Sequence, residues 1–225
     1  MQSFIRYVLA PLVRLLWRPR VHGTGHIPSS GPVILAANHR AVADTVFIPL
    51  VAPRRVAFLG KAEYFTRRGL RGRLSAGFLG ALGYIPVDRG NARAGLAALA
   101  AGREVLRAGG VFGIYPEGTR SLDGRLHRGH TGVASLALST GAVVVPVGLI
   151  GTERVRPSGR RLPRLARVEV HFGAPLEFSR YEGLEGAPTI RRAVTDEIMD
   201  AIADLSGQVY VDSYHRRPSE SDRAA

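Results

Sequence analysis

Short apolar runs alternate with longer helical patterns along this chain. The apolar runs are brief and rich in β-branched residues, which is typical of buried strands in a largely parallel sheet. The predicted strands are Val33 to Ala37, Arg55 to Leu59, Tyr84 to Val87, Val111 to Tyr115, Val143 to Leu149 and Arg167 to Phe172. The predicted helices are Asp44 to Val51, Phe65 to Leu82, Asn91 to Ala108, Gly132 to Ser139 and Thr189 to Leu205. This alternation predicts an α/β fold, a single domain with a mostly parallel central sheet flanked by helices.

The first 20 residues carry a different pattern, with apolar side chains at helical spacing and arginines between and after them. Such a helix fits an anionic membrane interface, although the same stripe would also suit a helix packed on the domain's own core. No apolar run reaches the roughly 20 residues that span a bilayer, and no signal peptide is predicted. We therefore divide the chain into an amphipathic membrane-associating helix (1–20), an α/β domain (21–210) and a polar tail (211–225).

The charge, aromatic content and lack of cysteine indicate which kinds of ligand this protein could bind. The net charge is +13, and every basic residue is arginine except Lys61. A basic surface attracts nucleic acid, anionic lipid or phosphorylated ligands, although solvated arginines on outer helix faces account for part of the excess. Aromatic residues are only 7% of the chain and fall mainly in predicted strands or the N-terminal helix, which argues against nucleic-acid binding. The absence of cysteine excludes disulfides and thiolate metal sites.

The first candidate for chemistry is the pair His39 and Asp44, which follows the strand predicted to end at Ala37. On a regular helix, positions i and i+5 point about 140° apart, so the two side chains would not meet there. They can meet if His39 lies in the turn after the strand and Asp44 begins the next helix. Asp44 would then fix the imidazole tautomer and leave the other ring nitrogen to accept a proton.

Two further turns place arginine beside an acidic residue and glycine just after a predicted strand. They are Asp88-Arg89-Gly90 and Glu117-Gly118-Thr119-Arg120. A guanidinium in such a turn can bind phosphate, and the glycines let a ligand approach the backbone. Each acidic residue and arginine could instead form an internal ion pair. Because both turns are expected on the same sheet edge as His39, we favour an anion site.

Other chemistries have weaker support in the sequence. A covalent serine mechanism would require a nucleophile elbow, and no Gly-x-Ser-x-Gly occurs. Metal chemistry would require clustered ligands, whereas the other histidines are scattered without ligand spacing, so no metal is expected. Those histidines are His22, His26, His127, His130, His171 and His215.

The blocks resemble, in order, those of the glycerophospholipid acyltransferase family, specifically the bacterial 1-acyl-glycerol-3-phosphate acyltransferases. The resemblance extends from about Val21 to Gly173. The matching blocks are Asn38-His39 with Asp44, Asp88-Arg89, Pro116-Glu117-Gly118-Thr119-Arg120 and Val145-Pro146-Val147. The element Lys61-Ala62-Glu63 is similar to the family's Lys-x-Glu. One departure is Ala41, since many members have serine at that position.

This resemblance implies that His39 is the general base, that Asp44 orients it, and that the acceptor hydroxyl attacks an acyl thioester directly. Arg89, Arg120 and Lys61 would hold the acceptor phosphate. Residues 117 to 119 would shape the acceptor site, with Asn38 and Pro146 supporting it.

The expected reaction esterifies lysophosphatidic acid to phosphatidic acid in phospholipid biosynthesis, with acyl-CoA or acyl-carrier protein as the donor substrate and no cofactor. The expected location is the cytoplasmic face of the cell membrane, as a peripheral or monotopic protein. Two alternatives stay open: another lysophospholipid or an amino-acid lipid as acceptor, and a non-catalytic lipid-binding protein.

Overall fold

The computed structural model describes residues 10–66, 69–87, 92–155 and 163–215. The strands there are β1 (Arg20–His22), β2 (Val33–Ala37), β3 (Val56–Lys61), β4 (Tyr84–Val87), β5 (Val111–Ile114), β6 (Leu126–His127), β7 (Val143–Ile150), β8 (Glu169–Phe172) and β9 (Tyr210–Val211). The α-helices are α1 (Ala10–Trp17), α2 (Asp44–Val51), α3 (Glu63–Thr66), α4 (Leu70–Ala81), α5 (Ala92–Arg107), α6 (Gly132–Thr140), α7 (Thr152–Val155) and α8 (Pro188–Ser206).

The main sheet has the strand order β1-β8-β7-β2-β5-β3-β4. Neighbouring strands from β7 through β4 are all parallel, so their carboxyl ends share one edge. β8 runs antiparallel to β7, and β1 is parallel to β8. The prediction of a mostly parallel sheet is therefore confirmed, with β8 as the strand that reverses direction.

The sheet separates two apolar cores because successive side chains of a strand point to opposite faces. All five residues of β2 are buried: Val33, Leu35 and Ala37 on one face, and Ile34 and Ala36 on the other. α1, α2 and α4 pack on the first face, and α5, α6 and α8 on the second. The predicted domain with helices flanking a sheet is thus a three-layer arrangement.

Gly113 in β5 lets an aromatic ring cross the sheet surface. A Cβ atom at this position would lie 2.1 Å from Cζ of Phe58 on the neighbouring β3. The Phe58 ring in turn stacks on Tyr115, with ring centres 5.5 Å apart. A glycine is therefore needed at position 113 for the Phe58 ring to pack between β5 and Tyr115.

The structure corrects several predicted elements. The helix predicted over Phe65 to Leu82 is two helices, α3 and α4, separated at Gly69, whose φ is 87°. Prediction also missed β1, β6 and β9, which are only two or three residues long and have no sequence period of their own. Through β9, Val211 pairs with His127, so the polar tail predicted from residue 211 begins inside a strand. Residues 216–225 of that tail lie outside the described residues.

Helix α1 is the described part of the predicted N-terminal helix. Its Val13 is buried in the core, whereas Leu15 and Leu16 are 64% and 44% exposed. The helix therefore packs on its own domain and also presents apolar side chains outward. Within the described ranges, no helix combines the length and apolar character needed to cross a bilayer.

Candidate active site

His39 lies in the turn that joins β2 to α2, at the carboxyl edge of the parallel strands. Asp44 is the first residue of α2, and the turn brings its Oδ2 to 2.8 Å from Nδ1 of His39. The contact that sequence spacing left open is therefore present. Because an ionised carboxylate oxygen only accepts, Nδ1 carries the proton, and Nε2 of the neutral ring is left with its lone pair.

The carboxylate of Asp44 is fully buried and held by the backbone of the same turn. Its Oδ2 also accepts hydrogen bonds from the backbone N–H groups of Arg40, at 2.7 Å, and Ala41, at 2.8 Å. Its Oδ1 has no hydrogen-bond partner among the described residues. Ala41 is the position at which a family serine would add a hydroxyl to this turn.

The imidazole of His39 is fixed from the side by an aromatic ring. It stacks on Tyr115, with ring centres 4.0 Å apart and planes 14° apart. Only 14% of the His39 side chain is exposed, and Nε2 makes no hydrogen bond within the described part of the chain. A ring held this way offers one nitrogen to an incoming hydroxyl.

Glu117 connects the His39 turn to a second strand pair. It follows β5 and is 2% exposed; its Oε1 accepts from the His39 N–H at 3.2 Å, and its Oε2 from the His127 N–H at 3.1 Å. Burial raises the pKa of Glu117 to about 7, even though both backbone hydrogen bonds favour the ionised form. With both oxygens directed at the backbone, Glu117 shapes the site by positioning His39.

The residues that follow Glu117, up to Ser121, contact the carbonyl side of the His39 backbone. The Ser121 N–H donates to the His39 carbonyl at 2.7 Å. Gly118 has a φ of 72°, and a Cβ there would approach the ring of His130 to 3.1 Å. Thr119 is half-buried, and Arg120 is exposed with no hydrogen bond or ion pair among the described residues. The cation of Arg120 is therefore carried by the residue next to Ser121, which bonds the His39 carbonyl.

Asn38 joins the His39 turn to β7. Its side chain is fully buried; the amide donates to the Leu149 carbonyl at 3.0 Å, and its Oδ1 accepts from the Leu149 N–H at 2.8 Å. It also donates to Oε1 of Gln208 at 2.6 Å. Pro146 lies within β7, buried and in register with Ala36, the penultimate residue of β2.

The remaining predicted phosphate ligands are less fully described. Lys61 is the last residue of β3, which places its backbone at the same sheet edge, but its side chain is outside the described part. Arg89 lies entirely outside the described residues, two positions after β4. The parallel strands therefore bring three of the predicted blocks to one edge, and Arg120 is the described cation among them.

Three contributors to this site were not predicted from the sequence. Tyr115 and Ser121 flank the third block, but nothing in their spacing indicates stacking on His39 or a hydrogen bond to its carbonyl. Gln208 is 170 positions from Asn38, and only the packing of the segment after α8 reveals the contact. No single-sequence signal would have identified Gln208.

This chain is similar in sequence to known acyltransferases. The family model described as Acyltransferase matches residues 18–150. A 1-acyl-sn-glycerol-3-phosphate acyltransferase of Bacillus subtilis is 24% identical over 211 residues, which are 93% of this chain and 98% of that protein. A chloroplastic 1-acyl-sn-glycerol-3-phosphate acyltransferase of Arabidopsis thaliana is 30% identical over 144 residues, 64% of this chain and 39% of that protein. The chain thus spans about two fifths of the length of this chloroplast relative.

The fold has a counterpart among solved structures. The 1-acyl-sn-glycerophosphate acyltransferase PlsC from Thermotoga maritima superimposes with a TM-score of 0.63 at 23% sequence identity, covering 88% of this chain and 78% of that one. The similarity supports the same α/β architecture. Since the family model matches more than half of the 225 residues and includes His39, Asp44 and the turn at Glu117, this chain belongs to the acyltransferase family.

Proposed function

We propose that this protein is an O-acyltransferase that moves a fatty acyl group from a thioester to the free hydroxyl of 1-acyl-glycerol-3-phosphate, forming phosphatidic acid. The observation that carries the proposal is the 2.8 Å contact between His39 Nδ1 and Asp44 Oδ2, which leaves Nε2 free to accept a proton. The names of the Bacillus and Arabidopsis relatives supply the acceptor.

The proposed chemistry is a direct transfer. Nε2 of His39 removes the proton of the acceptor hydroxyl as its oxygen attacks the thioester carbonyl carbon, and the tetrahedral intermediate then expels the thiolate. The imidazolium returns the proton to the thiolate, so the products are an ester and a free thiol. Asp44 stabilises the imidazolium and keeps its orientation, as a buried carboxylate does in related acid–base pairs.

The acceptor phosphate is proposed to bind at the turn that carries Arg120. This guanidinium is exposed and unengaged among the described residues, and its chain neighbour Ser121 touches the His39 backbone. A phosphate held there would lie near the hydroxyl that reaches Nε2, because glycerol-3-phosphate is short. Lys61 and Arg89 are proposed as further phosphate ligands from the neighbouring strands β3 and β4.

The proposal is tested with the purified full chain, lysophosphatidic acid and a panel of acyl-CoA and acyl-carrier-protein donors. His39→Ala should lower kcat about 10² to 10⁴-fold, the usual contribution of one general base. His26→Ala is the matched control, since His26 is exposed and bonds the Phe172 carbonyl away from this edge. Near-full activity of folded His39→Ala would refute the mechanism, and activity only with a different lysophospholipid would refute the acceptor.

The phosphate site has its own test. Arg120→Ala should raise KM for lysophosphatidic acid at least tenfold, about 1.4 kcal/mol, and leave KM for the donor unchanged. Arg107→Ala is the control, because Arg107 ends α5 at the opposite edge of the sheet. An unchanged acceptor KM in Arg120→Ala would place the phosphate elsewhere.

We also propose that the enzyme works at an anionic membrane surface on its cytoplasmic side. α1 exposes Leu15 and Leu16, and the segment before β8 exposes Leu165 at 71%. The two are joined by a hydrogen bond from Trp17 Nε1 to the Arg164 carbonyl at 2.8 Å. Arginines surround these leucines: Arg14, Arg18, Arg20, Arg164 and Arg167. Apolar side chains ringed by cations suit insertion among anionic headgroups.

Vesicle co-sedimentation tests this surface. The full chain should bind vesicles of phosphatidylglycerol and phosphatidylcholine better than phosphatidylcholine alone, and Leu165→Asp should weaken that binding. Leu184→Asp, on an exposed leucine of the segment before α8, should bind as the unaltered chain does. Equal binding by Leu165→Asp and the unaltered chain would exclude Leu165 from the membrane contact.

A further inference from the structure

A group of possible metal ligands lies beside the catalytic turn, where sequence spacing gives no hint of one. Asp123, His127 and His215 each bring one ligand atom to within 4.8 Å of the other two. His127 lies in β6, and His215 follows the paired strand β9, so the β6–β9 pairing assembles residues that are far apart in the chain. This explains why a search for closely spaced ligands does not find the group.

Two of these side chains carry nitrogens that the fold leaves without hydrogen bonds. Nδ1 of His127 and Nε2 of His215 are both buried and have no partner among the described residues. The imidazole of His127 is itself only 8% exposed. A buried polar atom without a partner costs free energy, so such atoms usually mark an unassigned water or ion. Nε2 of His215 is such an atom and points to a ligand, whereas Nδ1 of His127 is directed away from the Nε2 that faces Asp123 and cannot bind the same ion.

The geometry of the group fits a metal ion. Nε2 of His127 lies 3.1 Å from Asp123 Oδ1, close to the separation of about 3.3 Å between two ligands of one tetrahedral zinc. The rings of His127 and His215 have centres 4.5 Å apart and are tilted by 52°, so their nitrogens can converge on one point. Asp123 is one-third exposed, which provides a path of entry for an ion.

We propose that Asp123, His127 and His215 form a binding site for a divalent cation of the zinc class. Two imidazoles with one carboxylate are a donor set that zinc accepts, with water completing the coordination.

Arg125 is the competitor for this carboxylate. Its Nε lies 2.9 Å from Asp123 Oδ2, and its side chain is 55% exposed. An exposed guanidinium can turn to solvent at little cost, since exposed ion pairs contribute only about 0 to 1 kcal/mol. Arg125→Ala should therefore leave the site intact and make metal binding tighter.

A second histidine group is a weaker candidate and serves as the control. His22 and His171 lie in register on β1 and β8, with Glu169 nearby. Their rings are almost parallel, tilted by 25°, so their nitrogens do not converge as well. Glu169 also contacts the guanidinium groups of Arg20 and Arg167.

A metal at Asp123, His127 and His215 would act on the active site through the backbone. The His127 N–H donates to Glu117 Oε2, and Glu117 Oε1 accepts from the His39 N–H. Ser121, which donates its hydroxyl hydrogen to Asp123, also donates its N–H to the His39 carbonyl. The cation would thus tie the segment after α8 to the turn that positions His39, as a structural and not a catalytic ion.

The experiment measures metal content and stability of the full chain, purified with an affinity tag free of histidine and stripped with chelator. After dialysis against Zn²⁺, we expect about one zinc per chain by mass spectrometry. A hundredfold excess over Kd should raise Tm by about 5 to 10 °C. Co²⁺ in the same site should give visible absorption bands that report nitrogen and oxygen ligation.

Substitution of single histidines tests which side chains bind the zinc. His215→Ala and His127→Gln should each weaken zinc binding more than about tenfold, whereas His171→Ala should bind as the unaltered chain does. His215 lies beyond β9 and outside any described strand or helix, so its replacement should leave the fold intact, which circular dichroism can verify. Absence of zinc from the unaltered chain would overturn the proposal, and so would binding that is lost in His171→Ala but kept in His215→Ala.

Discussion

Raising the pH from 5 to 7.5 should destabilise this protein through the ionisation of one buried carboxyl group, that of Glu117. The group is 2% exposed and bonds the backbone of His39 and His127. Burial favours its neutral form and raises its pKa from the ordinary 4.5 to about 7. In the unfolded chain, where this burial is absent, the same carboxyl group ionises near 4.5.

The sign and size of the effect follow from this difference. Between these two pKa values the folded protein binds one more proton than the unfolded chain, so stability falls as pH rises. The contribution is fully present below about 4.5 and is lost as pH rises through about 7. At 1.36 kcal/mol per pH unit the whole interval corresponds to about 3 kcal/mol, of which about 2 kcal/mol falls between pH 5 and 7.5.

The assay compares the unaltered chain with Glu117→Gln, which keeps the shape of the side chain but cannot titrate. The free energy of unfolding is measured in urea by circular dichroism at pH 5, 6, 7 and 7.5. Other titrating groups affect both proteins alike, so the difference between the two curves isolates Glu117. The unaltered chain should lose about 2 kcal/mol relative to the variant over this interval. Parallel curves would show that Glu117 ionises normally, and the account of its burial would be wrong.

Three other substitutions test the turn around His39. Asp44→Asn should lower kcat about 10² to 10⁴-fold with little change in KM, because an amide nitrogen turned toward Nδ1 cannot hold the productive tautomer; kinetics within tenfold of the unaltered enzyme would contradict this. Asn38→Ala should cost about 3 kcal/mol in urea unfolding, since it leaves the N–H and carbonyl of Leu149 unpaired, and a loss under about 1 kcal/mol would contradict the bridge. Ala41→Ser should raise stability by about 1 kcal/mol by giving Asp44 Oδ1 a donor, and an unchanged Tm would show that the hydroxyl does not reach it.

The sequence predicted the parts of this fold that depend on local pattern. The run from Val33 to Ala37 is entirely apolar and β-branched at its start, and it forms β2 with the predicted bounds. The helix from Asp44 to Val51 also has its predicted bounds. The turn between them then follows from geometry, because a strand and a helix joined by six residues leave few positions for His39. The candidate base was therefore accessible to sequence reasoning.

The rest of the site depends on contacts between distant segments. From the sequence, Glu117 was expected either to pair with an arginine or to contact the acceptor substrate. Only the fold reveals that its two oxygens accept from the backbone N–H groups of His39 and His127, which are 78 and 10 positions away. The apolar series at spacing four begins at Leu70, after Gly69, so it marks α4 and carries no signal of the break that separates α4 from α3. Tertiary contacts of this kind leave no period in a single sequence.

The arrangement around His39 explains why a costly buried carboxyl is tolerated at Glu117. The backbone of His39 is held on both sides, at its N–H by Glu117 and at its carbonyl by Ser121, while Asp44 and Tyr115 hold the ring. General-base catalysis requires the accepting nitrogen within hydrogen-bond reach of the hydroxyl, and a small displacement of the base is enough to slow it. The buried carboxyl of Glu117 supplies that precision by accepting a hydrogen bond from the His39 N–H. Near neutral pH this carboxyl ionises in its buried position, which lowers the stability of the folded protein; an apolar residue at 117 would not have this effect. The free energy lost at Glu117 is therefore the cost of holding His39, the proposed base, in position.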